Sequence, residues 1–171
     1  MRDFSADHRW LSINTATLRG AGTLDRIVAA CARHGIRAIS PWRDQVHAVG
    51  LERTSELVRS HALELSGYCR GGMFPALDAA GRRRAIDDNR RAIDEARRLD
   101  AACLVLVVGG LPDNSKKLGA ARAHMADAIA ELVPYADERG VRLADAAGLL
   151  ERPELAAARM RQLLALHGVD G

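Results

Sequence analysis

The run Cys103-Leu104-Val105-Leu106-Val107-Val108, closed by Gly109-Gly110-Leu111-Pro112, decides the fold. Six apolar residues in succession read as a strand covered on both faces, as a parallel strand beneath a helix layer must be. A long helix precedes it. Ala85, Ile86, Asn89, Ala92, Ile93, Ala96 and Leu99 recur at helical spacing and line one face. Another helix follows. Asn114 or Ser115 can cap it, Met125, Ala128, Ile129, Leu132 and Ala136 form its stripe, and Gly140 stops it. Val141 to Ala144 then opens a further strand.

The same alternation extends toward the N-terminus. Trp10 to Asn14 is the first strand. Thr23 caps a helix with Leu24, Ile27, Val28 and Cys31 on one face, and Gly35 ends it. Ile36 to Ser40 is the second strand, ended by Pro41-Trp42-Arg43. Leu51 to Ala62 is the second helix. Leu63 to Tyr68 is the third strand, leading into a loop from Cys69 to Pro75. Four strand–helix units and a fifth strand predict an α/β fold of parallel (β/α) repeats of TIM-barrel type, truncated after about strand five. A closed barrel takes eight such units in roughly 250 residues, whereas this chain has 171.

Composition sets outer limits. Apolar content of 48% and charged content of 27% are ordinary for a soluble globular chain. Aromatics at 4% leave Ala, Leu, Val and Ile to fill the core. No run of about 18 apolar residues exists to span a membrane. Met1-Arg2-Asp3-Phe4-Ser5 has no signal-peptide stretch, so a cytoplasmic location is expected. A net charge of +3 is no nucleic-acid signature. Arg84–Asp88, Asp87–Arg91, Arg90–Asp94 and Asp94–Arg98 fall at i,i+4 and predict a solvated, salt-bridged helix face. Cys31, Cys69 and Cys103 are far apart and include no CxxC. Cys31 and Cys103 read as small buried hydrophobes. No dinucleotide fingerprint, P-loop, HExxH or GxSxG occurs. None of the six histidines has a partner at metal-ligand spacing.

In a parallel strand–helix array, ligands sit at the carboxyl ends of the strands. That rule selects Asn14, then Trp42 and Arg43, then Tyr68, Arg70 and Gly71 as substrate-binding candidates. Two arginines, an asparagine and two aromatics suit a polyhydroxylated ligand, an anionic one included. Arginine grips carboxylate or phosphate with a planar fork. Aromatics stack on sugar faces, and glycine lets the backbone approach a ligand. Each also has a plain structural role. Trp42 can close the barrel end, Arg43 can pair with Asp44, and Asn114 and Ser115 are ordinary caps.

The segments Leu11-Ser12-Ile13-Asn14-Thr15, Ile39-Ser40-Pro41-Trp42-Arg43, Ser66-Gly67-Tyr68-Cys69-Arg70-Gly71-Gly72 and Val107-Val108-Gly109-Gly110-Leu111 together resemble the N-terminal half of sugar phosphate isomerase/epimerase proteins, the xylose-isomerase-like TIM barrels. The resemblance covers about residues 1 to 144. It implies an eight-stranded barrel with a divalent metal (Mn, Mg or Zn) at its carboxyl face. It implies isomerisation or epimerisation of a small sugar or polyol by proton transfer next to a carbonyl. A pair of metal-binding glutamates does this in the family, one of them ending strand five. Here the matching position is Ala146. Asp145 is one residue off, and a one-residue shift turns a strand side chain to the other face. No metal ligand carries over, and the chain alone is expected to be inactive.

Residues 1–144 therefore read as half of a barrel and 145–171 as an atypical tail, with one helix from Glu151 to His167. The tail is rich in Ala, Leu, Arg, Gly and Asp, as a GC-rich gene yields in almost any frame. That predicts a frameshift or early stop. A natural half-barrel that pairs with another chain is the rival expectation. Open edges at strands one and five, with exposed apolar strand faces, predict dimerisation, aggregation or marginal stability. Two other functions remain open: a non-catalytic sugar-binding or assembly module, and an abasic-site endonuclease-like barrel. The latter calls for strand-end histidines and a basic groove, and neither is present in the sequence.

Overall fold

The computed structural model describes residues 11–107, 109 and 118–145. Six strands alternate with helices: β1 (Ser12–Asn14), a 3-10 segment (Thr15–Ala21), α1 (Leu24–Arg33), β2 (Ala38–Ser40), α2 (Arg43–Val49), α3 (Leu51–Ser60), β3 (Glu64–Leu65), β4 (Tyr68–Gly72), α4 (Ala79–Arg98), β5 (Leu104–Val107), α5 (Leu118–Asp137) and β6 (Leu143–Asp145). Strand order is β1-β2-β3 in one sheet and β4-β5-β6 in another. The alternation of parallel strands and helices expected from the sequence is present. The expected tail helix from Glu151 to His167 and the caps Asn114 and Ser115 lie outside the described residues. Among the described residues no helix is long and apolar enough to cross a membrane.

The chain divides into two compact units. One comprises residues 1–70 and 94–104, the other residues 71–93 and 105–171.

In the first unit β1, β2 and β3 run parallel, with Ile13, Ile39 and Leu65 in register across the sheet. Ile39 and Leu65 are buried with Ile27, Val28 and Cys31 of α1 and Leu57 and Val58 of α3. These are the stripe positions that the helical spacing picks out, so burial of one apolar face fixes each helix. Gly35 adopts a φ of 69° just after α1, a left-handed geometry that glycine takes without Cβ strain. The opposite face of the sheet is polar apart from Ala38, which lies in register with Ser12 and Glu64. Ser12 and Asn14 on β1, Ser40 on β2, Glu64 on β3 and Ser66 just beyond it alternate with the buried residues, and Ser12 and Ser66 share a 2.5 Å hydrogen bond. An apolar exposed face, expected from the sequence, is therefore not what these three strands show.

Several boundaries differ from expectation. A helix, α2, begins at Arg43 where the sequence predicts a loop, with Trp42 as its N-cap residue. His47 lies on that helix. The third strand is in two pieces. It breaks at Ser66-Gly67 and resumes from Tyr68 to Gly72, so Arg70 and Gly71, read as following the strand, lie within β4 with Tyr68. Gly71-Gly72 reads as a turn signal, yet Gly72 is a strand residue placed hard against its neighbour. In the second unit, at a φ of 96°, a Cβ on Gly72 would fall 2.0 Å from the Val107 carbonyl oxygen and 2.6 Å from its nitrogen.

The second unit holds Gly71, Gly72, most of α4, Val105–Val107, α5 and β6. Asn89 of α4 is fully buried. Its Oδ1 accepts from the Gly72 N–H at 2.6 Å, and its Nδ2 donates to the Gly72 carbonyl at 2.8 Å and to the Ala85 carbonyl at 2.8 Å. β5 alternates: Leu104 and Leu106 are buried, while Val105 and Val107 are only partly covered. The sequence suggested cover on both faces. β6 continues through Asp145, one residue beyond the end read from the sequence. The arginine face of α4 is also less simple than i,i+4 spacing implies. Its ion pairs include Arg90–Asp87 and Arg91–Asp88 at i,i+3, and Arg83 and Arg90 both reach Glu131 on α5 at 3.1 Å. Such exposed pairs each contribute little, about 0–1 kcal/mol.

Candidate functional site

Five of the six candidate residues lie in the first unit, and they form two adjoining groups there. Gly71 belongs to the second unit and is buried within β4.

The first group is built around Trp42. Trp42 follows β2, and a parallel bridge to Cys69 fixes its backbone beside β4. Its indole Nε1 donates to Asn14 Oδ1 at 2.8 Å. The same oxygen accepts from the Ala16 N–H at 3.0 Å, capping the 3-10 segment after β1. Asn14 is thus both a cap, a common local job for Asn, and a fixed support for the ring. Two guanidinium groups lie over the ring, Arg19 at 5.3 Å and Arg70 at 5.6 Å from its centroid. These are cation–π distances, and they restrict the ring further. Arg19 is also held by both carboxylate oxygens of Asp44, at 2.6 and 3.1 Å. Its hydrogen bond and charge hold the Asp44 carboxyl below its ordinary pKa.

The second group converges on Glu95, near the end of α4. Glu95 Oε2 accepts from Arg43 Nε at 2.8 Å and from the Tyr68 hydroxyl at 2.8 Å. Glu95 Oε1 accepts from Arg43 Nη2 at 3.0 Å and lies 3.1 Å from His47 Nε2. The Arg43 and Glu95 side chains are 15% and 14% exposed, and Tyr68 is fully buried. Burial alone would raise the Glu95 carboxyl. The hydrogen bonds from Arg43 and Tyr68, with the charges of Arg43 and His47, outweigh it and lower the pKa. Burial first, and Glu95 second, push the Tyr68 phenol far above its usual range, so the hydroxyl stays protonated. Arg43 and Tyr68 therefore direct their polar groups at Glu95.

Sequence reasoning missed Glu95, which read as one more charge on a solvated arginine-rich face. A signal existed. Glu95 lies three residues after Ala92 and four before Leu99, both on the buried stripe, so it sits at the stripe's edge. Arg43 and Asp44 were adjacent candidates for each other, but the structure pairs Asp44 with Arg19 and Arg43 with Glu95. Cys69 is buried, with its Sγ 3.4 Å from Ser40 Oγ, and burial pushes its thiol pKa up.

Comparison with known proteins places this geometry. The model of the xylose isomerase-like TIM barrel family matches residues 28–144. The chain belongs to that family. Among solved structures, protein SMc04130 from Sinorhizobium meliloti 1021 shares 53% identity at a TM-score of 0.78, over 81% of this chain and 50% of that one. The IolI protein with a bound zinc atom shares 18% identity at a TM-score of 0.68, over 78% and 50% of the two chains. D-psicose 3-epimerase, solved in the presence of D-fructose, shares 12% identity at 0.65, over 78% and 50%. At these lower identities the likeness shows the fold alone. The chain spans about half the length of each of these three proteins. Nothing among curated proteins matches it.

The IolI structure holds a zinc atom. Among the described residues, no three His, Cys, Asp or Glu side chains come together in a way that could hold an ion. Asp44 and Glu95, the carboxylates in the two groups above, are both engaged by arginine. The described residues do not fit a metal centre.

Proposed function

We propose that this chain carries the substrate-side half of a sugar isomerase or epimerase, acting on a small sugar or polyol in a full-length barrel that also binds Mn, Mg or Zn. The observation that carries the reading is the Trp42 ring, fixed by Asn14 at the carboxyl ends of β1 and β2 and flanked by Arg70 from within β4. Ligands bind at that end in strand–helix barrels. An aromatic plate with convergent polar donors is how such sites stack and orient a polyhydroxylated molecule.

In this reading Asn14, Trp42 and Arg70 meet the substrate, and Gly71 offers backbone beside them in sequence. Arg43 and Tyr68 act from behind, through Glu95. Arg43 directly follows Trp42, and Tyr68 precedes Arg70 by two residues. One carboxylate thus anchors both segments that carry the plate. The chain's own residues bind and orient; the proton transfer next to the carbonyl is left to groups beyond them.

A second reading is a sugar-binding module without turnover. It is favoured by the engagement of Asp44 and Glu95 with arginines, which leaves neither as a ready general base.

The test is calorimetric titration of the full chain with a panel of small ketoses, aldoses and polyols, with and without Mn2+. Proton NMR in deuterated water then follows exchange next to the carbonyl. Binding that Trp42→Ala abolishes supports the polyol site. Exchange at the carbon next to the carbonyl by a full-length barrel carrying this half supports the isomerase reading, and binding without exchange by that barrel supports the module. No binding by any member of the panel refutes both.

A further inference from the structure

The hydrogen-bonding capacity left over at the Trp42 plate is one-sided. Asn14 Oδ1 is used twice, by Trp42 Nε1 and by the Ala16 N–H. Its amide nitrogen donates to nothing among the described residues. Of the two guanidinium groups over the ring, that of Arg19 is neutralised by Asp44 in a two-pronged pair. Arg70, only partly exposed, has no carboxylate partner among the described residues. The Trp42 indole N–H is spent on Asn14. The plate therefore presents donors and one uncompensated positive charge, with its acceptors consumed.

A neutral polyol would use such a site poorly, because each hydroxyl both donates and accepts. A planar or tetrahedral oxyanion accepts only, and matches the guanidinium fork. We infer that the ligand of this site carries an oxyanion, a carboxylate or a phosphate, seated on Arg70 and Asn14 at the edge of the Trp42 ring. This deepens the polyol reading given above and rests on it. It divides the possible substrates into sugar acids or sugar phosphates on one side and neutral sugars on the other. The second arginine acts differently. With its charge matched by Asp44, Arg19 lies against the ring without competing for the anion.

The test uses the full chain with Trp10→Phe, so that Trp42 is the remaining tryptophan. Inorganic phosphate, D-gluconate and D-sorbitol are titrated in turn at low salt. At least one of the two anions is expected to shift Trp42 emission saturably and to bind about tenfold or more tighter than sorbitol, the difference made by one charge-assisted contact. Arg70→Gln should weaken anion binding by a similar factor. Arg70→Lys should restore part of it, since the charge returns without the fork. Preference for gluconate over phosphate identifies a carboxylate ligand, and the reverse a phosphate. The comparison of gluconate with sorbitol does not depend on any Arg70 variant folding. If sorbitol binds as tightly as both anions and Arg70→Gln changes nothing, the oxyanion inference is overturned while the polyol site stands. If none of the three binds, the polyol site falls with it.

Discussion

Glu95 offers the sharpest test of the way this site is held. Replacing it with alanine removes the acceptor of two hydrogen bonds from Arg43 and one from Tyr68. The Arg43 charge stays largely desolvated at 15% exposure. Breaking one side of a buried ion pair costs about 3–5 kcal/mol. The worth of the intact pair over an apolar substitute is far smaller, so the loss measures the desolvation of the remaining charge rather than the bond. Glu95→Gln keeps an acceptor for Tyr68 and loses the charge; a cost of about 2 kcal/mol is expected. The pH dependence separates charge from packing. The folded carboxyl titrates below its ordinary value, which is about 4.3. Its contribution is therefore full above that value and is lost as pH falls through the lower folded value. Glutamine has no such titration. The gap between wild type and Glu95→Gln should be largest near pH 7 and close in acid. Urea unfolding followed by far-UV circular dichroism, from pH 7 to pH 3, measures it. A gap below about 0.5 kcal/mol at pH 7, or one of constant size across the range, would refute the reasoning.

Three other outcomes follow from the geometry. Gly72→Ala forces a Cβ to within 2.0 Å of the Val107 carbonyl at a φ of 96°; with overpacking at about 1–3 kcal/mol and the strained dihedral adding about 1 kcal/mol or more, a drop in urea midpoint of several kcal/mol equivalent is expected, and a neutral result would sink the strand placement. Asn89→Leu leaves the Gly72 N–H and carbonyl without their side-chain partners and should cost about 2–4 kcal/mol, whereas Arg91→Ala on the exposed face of the same helix should stay within about 0.5 kcal/mol by thermal melting. In native-state labelling at pH 8, partly exposed Cys103 should react first, since Cys31 and Cys69 are buried and burial pushes both thiols up; equal rates at Cys69 and Cys103 would contradict the burial.

Most of the layout was legible from periodicity. The stripe Leu24, Ile27, Val28, Cys31 is the buried face of α1, and Ile86, Ala92, Ile93, Ala96 and Leu99 are buried on or just after α4. What periodicity missed has local causes. α2 is seven residues long, too short to show a helical stripe. Gly71-Gly72 carries the composition of a turn, but its conformation is set by contact with Val107, far along the chain. The site was legible in part. The strand-end rule picked out Asn14, Trp42 and Arg70 together, and the structure joins them at one ring. It could not say which arginine meets which carboxylate. Arg43 stands next to Asp44 in the sequence, yet pairs with a residue 52 positions away. Pairing depends on where helices bring charges together, and sequence neighbours on a helix do not face one another.

The polar face of β1, β2 and β3 bears on how such a site can change over evolutionary time. On one side of these strands Ile39 and Leu65 are locked into a close-packed core, where a single added methylene is felt. On the other, Ser12, Ser40 and Ser66 are short and hydrogen-bonded. A serine there can lengthen to threonine, asparagine or glutamine without disturbing the helix-facing layer. The strands thereby keep structural inheritance on one side and leave room for drift in selectivity on the other.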